Sequence, residues 1–347
     1  MIRLPAAARQ FFAEHIQQVF DSGTLAEGPW NEAVADWACK YTGAKFATTT
    51  GSNGGGTFAV LSLLRRYRGY THALIQSNTM YGVKTMVVSA GLELAGTVGC
   101  SLDFLVPTPG DVASALRNVP DPARTVLVLS HIGGWTNPEI EAIAEACAAK
   151  GVALVEDCAH SLGATLDGRH SGLHGIAGVY SLYATKAIPA GEGGIVVTDD
   201  AEMGSMVPRF VIYDRFKREM DIGLNVRMSE VSALLAFSVL RETESIIADK
   251  MAVARRYMQS CDRVGIDYIR PETPRWRANL YKFIVLDRNS PVDTLRIDGI
   301  KSRTSSVYDY ALGPDAAEIV RRHACLPIWY LLDEAVIEKT CREIESC

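Results

Sequence analysis

The sequence predicts an α/β protein: a large domain with a mostly parallel central sheet flanked by helices, then a smaller α+β domain. Three observations carry that expectation. Short, continuously apolar runs such as "TVLVLS" and "VALVED" alternate with amphipathic stretches between residues 46 and 157. Strands that are apolar on both faces suit a sheet covered by helices on each side, the situation of parallel strands. Beyond Asn225 the texture changes to a long helix-compatible stretch, then to shorter strands mixed with helices.

Taken in order, "MIRLPAAARQFFAEHIQQVF" has apolar residues at helical spacing, "DSGTLAEGPW" reads as a loop, and "NEAVADWACKYTG" as a helix stopped by glycine. "KFATTTGSNGGGTFAVLSLL" reads as a strand, a glycine-rich turn and a helix. The next elements alternate: strand "HALIQSN", helix "MYGVKTMVVSAG", strand "LELAGTV", helix "DVASALRNV", strand "RTVLVLSH", helix "NPEIEAIAEACAAKG", strand "VALVED". The stretch from Asn225 to Cys261 is expected as one long or kinked helix joining two domains, 1–240 and 241–347. "LYKFIVLD" then reads as a strand, and "PVDTLRIDGI" and "LDEAVIEKTCREIES" as helices.

The 347 residues are 48% hydrophobic and 22% charged, with a formal net charge of −5, so the composition is that of a compact fold and not of a nucleic-acid binder. No apolar run approaches the ~20 residues of a membrane span, and the first residues lack a secretory pattern, so a cytoplasmic protein is expected. The eight cysteines have no CxxC pair, which favours reduced thiols. His170 and His174 stand four apart in "HSGLH", but the nearby glycines argue for a loop, and no metal is expected there.

In parallel sheets ligands bind beyond the carboxyl ends of the strands. That rule selects residues 50–57, Ser77–Tyr81, His131, Asp157–His160 and the surroundings of Lys186. The turn "GSNGGGT" suits an anion at a helix N-terminus, or is a plain turn. Thr57-Phe58 stand where a P-loop requires Lys-Ser or Lys-Thr, and no G-x-G-x-x-G series is present, which disfavours nucleotide hydrolysis and dinucleotide binding. In "YSLYATKAIPAGEGG" a lone lysine, Lys186, follows a buried strand. An amine in apolar surroundings loses its proton more readily and becomes a nucleophile toward an aldehyde. Pyridoxal 5′-phosphate (PLP) needs that lysine, an acid for its ring nitrogen, a phosphate cradle and a flat cover for the ring. Asp157 supplies the acid, Gly56 and Thr57 with Ser181 the cradle, and Met80 or Tyr81 the cover.

The segment "VEDCAHSLGATLDGRHSGLHGIAGVYSLYATKAIPAGEGGIVVTDD" resembles the core of the DegT/StrS family of PLP-dependent sugar aminotransferases, and "GTFAVLSLL", "GLNVRMSEVSALLA" and "CLPIWYLLDEAVIE" extend the likeness. The resemblance implies fold type I, that of aspartate aminotransferase, in a homodimer with sites at the interface. It makes Lys186 the Schiff-base lysine and proton shuttle, Asp157 the partner of the ring nitrogen, and His160 a neighbour of the ring. Thr57, the following N–H of Phe58, and Ser181 would bind the phosphate, with Asn225 reaching the neighbouring subunit's phosphate. The implied reaction moves an amino group from an amino acid, glutamate, to a nucleotide-linked keto sugar, with pyridoxamine phosphate between the two halves. Met80 departs from the pattern by replacing an aromatic residue, and residues 205–223 match loosely. Arg209, Arg215, Lys217 and Arg218 either meet a substrate diphosphate or form a solvated surface. Residues Gly299–Tyr308 fall where the family's small domain approaches substrate. A sugar dehydratase of the same family carries histidine at the lysine position, so Lys186 argues against it. Transfer to a non-sugar ketone such as a cyclitol also stays open, as does a non-catalytic regulatory protein of the same fold.

Overall fold

A computed structural model of the chain describes residues 3–307 and 314–347; Tyr308 lies outside the described residues. Helices α1 (Ala6–Ser22) and α2 (Pro29–Thr42) precede an alternating series. It runs β1 (Phe46–Thr50), α3 (Asn53–Arg68), β2 (His72–Gln76), α4 (Tyr81–Ser89), β3 (Glu93–Val98), α5 (Pro109–Leu116), β4 (Thr125–Ser130), α6 (Ile140–Ala148) and β5 (Ala153–Cys158). A short hairpin, β6 (Thr165–Leu166) and β7 (Arg169–His170), leads to β8 (Ala177–Ser181), β9 (Gly194–Thr198) and α7 (Ala201–Phe210). The rest comprises α8 (Glu230–Leu240), α9 (Thr243–Val264), β10 (Asp267–Tyr268), β11 (Trp276–Arg277), β12 (Phe283–Leu286), α10 (Pro314–Arg322), β13 (His323–Leu326) and α11 (Glu334–Glu345).

Seven strands form the main sheet in the order β1-β9-β8-β5-β4-β2-β3. The pairs β2·β3, β2·β4, β4·β5 and β5·β8 are parallel, and β9 runs against both of its neighbours. Alternation along β4 sorts its side chains between two cores. Val126 and Val128 pack with α3, α4 and α7, whereas Leu127 and Leu129 pack with α5 and α6. Beyond β8 the second face is closed by α1, α2 and α8 through Val34, Ala38, Leu182 and Ala233. The inner strands are therefore buried on both faces, which is why runs such as β4 and β5 are almost continuously apolar, whereas the edge strands β1 and β3 are more exposed and more polar.

Two expectations need correction. The long helix is two helices separated by Arg241 and Glu242, where the Thr243 hydroxyl bonds the Leu240 carbonyl at 2.7 Å. "PVDTLRIDGI" forms two 3₁₀ turns, Val292–Thr294 and Arg296–Gly299, and not a helix. The Asp287 carboxylate draws in the N–H groups of Ser290 and Arg296 at 3.0 and 2.6 Å, competing with a helical ladder.

The division at 240/241 stays a proposal. It is supported by the separate antiparallel sheet β10-β12-β13 and its core of Tyr257, Phe283, Val285, Leu326 and Ile337. Strand β11 pairs instead with β6, so the C-terminal part also adds a strand to the hairpin of the N-terminal part.

Candidate active site

The carboxyl ends of β1, β5 and β8 bring the site together. Ser52 caps α3, its side chain accepting from the Gly55 N–H at 3.0 Å. The Gly56 N–H is engaged with the Ser52 carbonyl at 3.1 Å, so the amides of Thr57 and Phe58 lie inside the helix. The amides expected to form a cradle are thus not open ones: a helix leaves its first amides open, here Asn53 and Gly54. Gly56 serves packing instead, since a Cβ there would stand 2.8 Å from methyls of Val179 and Val196. Phe58 turns away to a groove shared with Ser62, Arg65 and Phe210. Thr57 is buried one turn after Asn53, and its Oγ1 has no hydrogen-bond partner among the described residues.

Strand β9 places Ser181 beside this helix start. Gly194 pairs with Ser181 on one side and Thr50 on the other, and a Cβ on it would lie 2.6 Å from the Asn53 nitrogen. Only a glycine admits that approach. After Ser181 the chain turns tightly through Lys186, held by Lys186 N–H to Tyr183 O at 2.9 Å and Ala184 N–H to Gly191 O at 2.8 Å. Gly191 has φ +88°, which favours glycine.

Lys186 is half-buried, and its pKa is pushed down to about 8. Burial is the main cause, Asp157 opposes it, and the charge of Lys282 adds to it. Asp157 is buried on β5, where Oδ1 accepts from Asn53 Nδ2 at 3.2 Å and from the Ala159 N–H at 3.1 Å. Its Oδ2 accepts from Ser130 Oγ at 3.0 Å, and Ser130 in turn meets Thr79 Oγ1 at 2.7 Å. Met80 and Tyr81 follow Thr79 at the start of α4, both more than two-fifths exposed. His160 is buried under Tyr281, ring centroids 4.1 Å apart, and burial together with Lys186 and Lys282 holds its pKa well below the usual range. A ring held in that way is neutral at pH 7.

The C-terminal part closes the site through one asparagine. Asn279 Nδ2 donates to the carbonyls of His160 and Leu162 at 2.7 and 2.8 Å, and its Oδ1 accepts from the Tyr281 N–H at 2.8 Å. The Asn279 and Lys282 amides reach Gly134 O and Gly133 O at 2.8 and 3.0 Å. A Cβ on Gly134 would lie 2.4 Å from Asn279 Oδ1, so "HIGG" is glycine-rich for contact with this segment. Sequence reasoning missed Asn53, Ser130, Asn279, Tyr281 and Lys282; the double glycine after His131 was the available signal for this clamp.

Other candidates part company with the site. His131 donates from Nε2 to Glu156 at 2.8 Å and accepts the Asn137 N–H at 3.0 Å, so it faces a buried network. His170 lies against the Tyr41 ring, while His174 bonds Glu156 at 3.2 Å; the two do not converge. Arg209 is paired with Asp214 and Glu219, and Arg215 with Glu27, which neutralises half of the basic cluster. Asn225 is exposed and bridges to Ile212, outside this chain's own Lys186 site.

The sequence model of the DegT/DnrJ/EryC1/StrS aminotransferase family matches residues 7–345. The chain belongs to that family. This aminotransferase also has the fold of several solved relatives. TlmJ, an aminotransferase from Streptoalloteichus hindustanus, is 23% identical with a TM-score of 0.83, covering 100% of this chain and 98% of that one. Helicobacter pylori PseC, an aminotransferase of pseudoaminic acid biosynthesis, is 17% identical with a TM-score of 0.86, covering 99% and 97%. DesI, solved in the presence of its TDP-sugar product, is 21% identical with a TM-score of 0.85, covering 100% and 91%. Among the described residues no helix is long and apolar enough to cross a membrane.

Proposed function

We propose that this aminotransferase uses PLP to move an amino group from an amino acid, glutamate, to a nucleotide-linked keto sugar in amino-sugar biosynthesis. The observation that carries it is the meeting of Lys186, Asp157 and the open start of α3 at neighbouring strand ends. The donor set fits the cofactor: Gly194 lets the start of α3 approach β9, Ser181 stands next to it, and the buried Thr57 hydroxyl lacks a partner that a phosphate oxygen could supply. Asn53, Gly54, the Thr57 hydroxyl and Ser181 would hold the phosphate, Asp157 the ring nitrogen and Lys186 the aldehyde carbon, with His160 beside the ring and Met80 or Tyr81 over it. When bound, PLP supplies a carbonyl that exchanges amino groups and a ring that withdraws electrons from the adjoining carbon.

The protein's part is then proton management. The buried Asp157 carboxylate keeps a proton on the ring nitrogen. Lys186, with a pKa of about 8, is poised near neutral pH to take a proton from the donor's Cα and return it at the neighbouring carbon. Neutral His160 adds no positive charge against that ring. The acceptor class follows the structural relatives, of which DesI was solved with a TDP-sugar product and PseC serves pseudoaminic acid biosynthesis.

The proposal includes a homodimer in which Asn225 reaches the neighbouring subunit's phosphate. Around Asn225, Tyr213, Phe216 and Leu224 are 54%, 76% and 41% exposed, an apolar surface that a second copy would cover. A cytoplasmic setting is supported by eight free thiols. The test is a screen of keto sugars, free and nucleotide-linked, and of cyclitol ketones against the amino-loaded enzyme. Return of the absorption band of the lysine-bound cofactor with a nucleotide-linked ketone is expected. Response to cyclitols alone would overturn the sugar assignment, and response to no ketone would overturn the transfer.

A further inference from the structure

We infer that Lys282 binds a carboxylate of the amino donor, which makes it a specificity-determining residue of this site. The inference rests on the proposed transfer from an amino acid. Lys282 lies on the strand side of the Asn279 clamp, its backbone fixed by the bond to Gly133 O at 3.0 Å. Its Nζ stands 5.3 Å from the centroid of the Tyr281 ring, and Lys186 Nζ stands 5.2 Å from the same centroid. The two ammonium groups therefore share one aromatic neighbour. Lys282 opens into a cavity of about 380 Å³ lined also by Thr185, Thr304, Ser305 and Trp329. Among the described residues no acidic side chain lines that cavity and no carboxylate is paired with Lys282.

An ammonium with no paired carboxylate among the described residues leaves positive charge beside the Lys186 site. Burial is the main cause of the lowered pKa values of Lys186 and His160, and the nearby Lys282 charge adds to it in both. An amino acid brings at least one carboxylate, and one carboxylate neutralises one lysine through a charge-assisted hydrogen bond, with hydroxyls available for its remaining lone pairs. A diphosphate carries more charge than this single ammonium balances, and planar arginine forks suit it better. The carboxylate is the better match.

The experiment uses the holoenzyme, with Lys282→Gln and Lys282→Arg variants checked for an unchanged thermal unfolding midpoint. Glutarate, which has two carboxylates and no amine, is titrated by calorimetry, and KM and kcat are measured for glutamate, alanine and the keto acceptor. Lys282→Gln is expected to weaken glutarate and raise the glutamate KM by about tenfold or more, with the acceptor KM unchanged and Lys282→Arg retaining most binding. A parallel rise in the alanine KM assigns the carboxylate next to the amine; a rise for glutamate alone assigns the distal one. Unchanged glutarate affinity, or an increase confined to the acceptor KM, overturns the inference. Lysine-dependent glutarate binding in an enzyme that aminates no ketone would sink the proposed transfer while leaving Lys282 as a carboxylate-binding residue.

Discussion

Glu156 and Asp157 are consecutive, both carboxylates and both buried, yet strand alternation sends them to opposite faces of β5. Glu156 meets His131 and His174 and accepts the N–H groups of Gly172, His174 and Gly175 at 2.7, 2.6 and 2.7 Å. Burial alone would raise its pKa, but the bonds from the two histidines outweigh that and hold it well below the usual carboxylate range. Its valences are filled by the protein, and it fixes the loop that leads into β8. Asp157 faces α3 and accepts from an amide, a hydroxyl and one backbone N–H, on the side where Lys186 acts. Saturation by backbone donors distinguishes a structural carboxylate from one turned toward chemistry.

The most severe test of that contrast removes the reacting amine. Lys186→Ala should lower turnover by at least about 10³-fold with little change in unfolding, because the proton-transfer group is lost; turnover within about a hundredfold of the parent would contradict the assignment. Asp157→Ala and Glu156→Ala should then separate. The former should cost about 10²-fold or more in kcat while the fold persists. The latter should destabilise the chain by about 3–5 kcal/mol in denaturant titrations, since two histidines and three N–H groups lose their acceptor. If both variants lose stability equally, the distinction between the two faces fails.

Gly194→Ala should weaken PLP retention about tenfold or more, because the methyl would collide with the Ser52–Asn53 backbone and displace the start of α3 where a phosphate is proposed to sit. Equilibrium dialysis reads this directly, and undiminished retention would move the cradle elsewhere. The smallest effect is in pH. Lys186 has a folded pKa of about 8 against an ordinary 10.5, so below about 8 both folded and unfolded chains carry the proton and the burial cost is fully present. Between about 8 and 10.5 only the unfolded chain keeps it, so this group's contribution to stability improves as pH rises. Amine labelling of cofactor-free protein should show a midpoint near pH 8 that moves upward in Lys282→Gln; a midpoint near 10 would remove the shift.

Much of the fold and site is legible in the residues. Apolar runs mark the strands, "ATKAIPAGEGG" marks the lysine loop, and the end of "VALVED" marks Asp157. What the residues misplace is local: the glycines before Thr57 suggest a turn ending there, while the Ser52 cap starts α3 earlier and moves the open amides to Asn53 and Gly54. His131 shares its strand-end position with the site residues, but its ring serves Glu156.

By itself the sequence determined the alternating α/β order, the lysine and acid at two strand ends, and the family to which the chain belongs. These depend on period, composition and short motifs, which are properties of neighbouring residues. The tertiary structure decided which helix amides remain open, which of two adjacent carboxylates faces the site, and that Asn279, which bonds the carbonyls of His160 and Leu162 from more than a hundred positions away, brings Tyr281 and Lys282 to it. Those choices depend on which face of a strand meets which helix and on where a glycine permits two backbones to touch, and no local pattern encodes either.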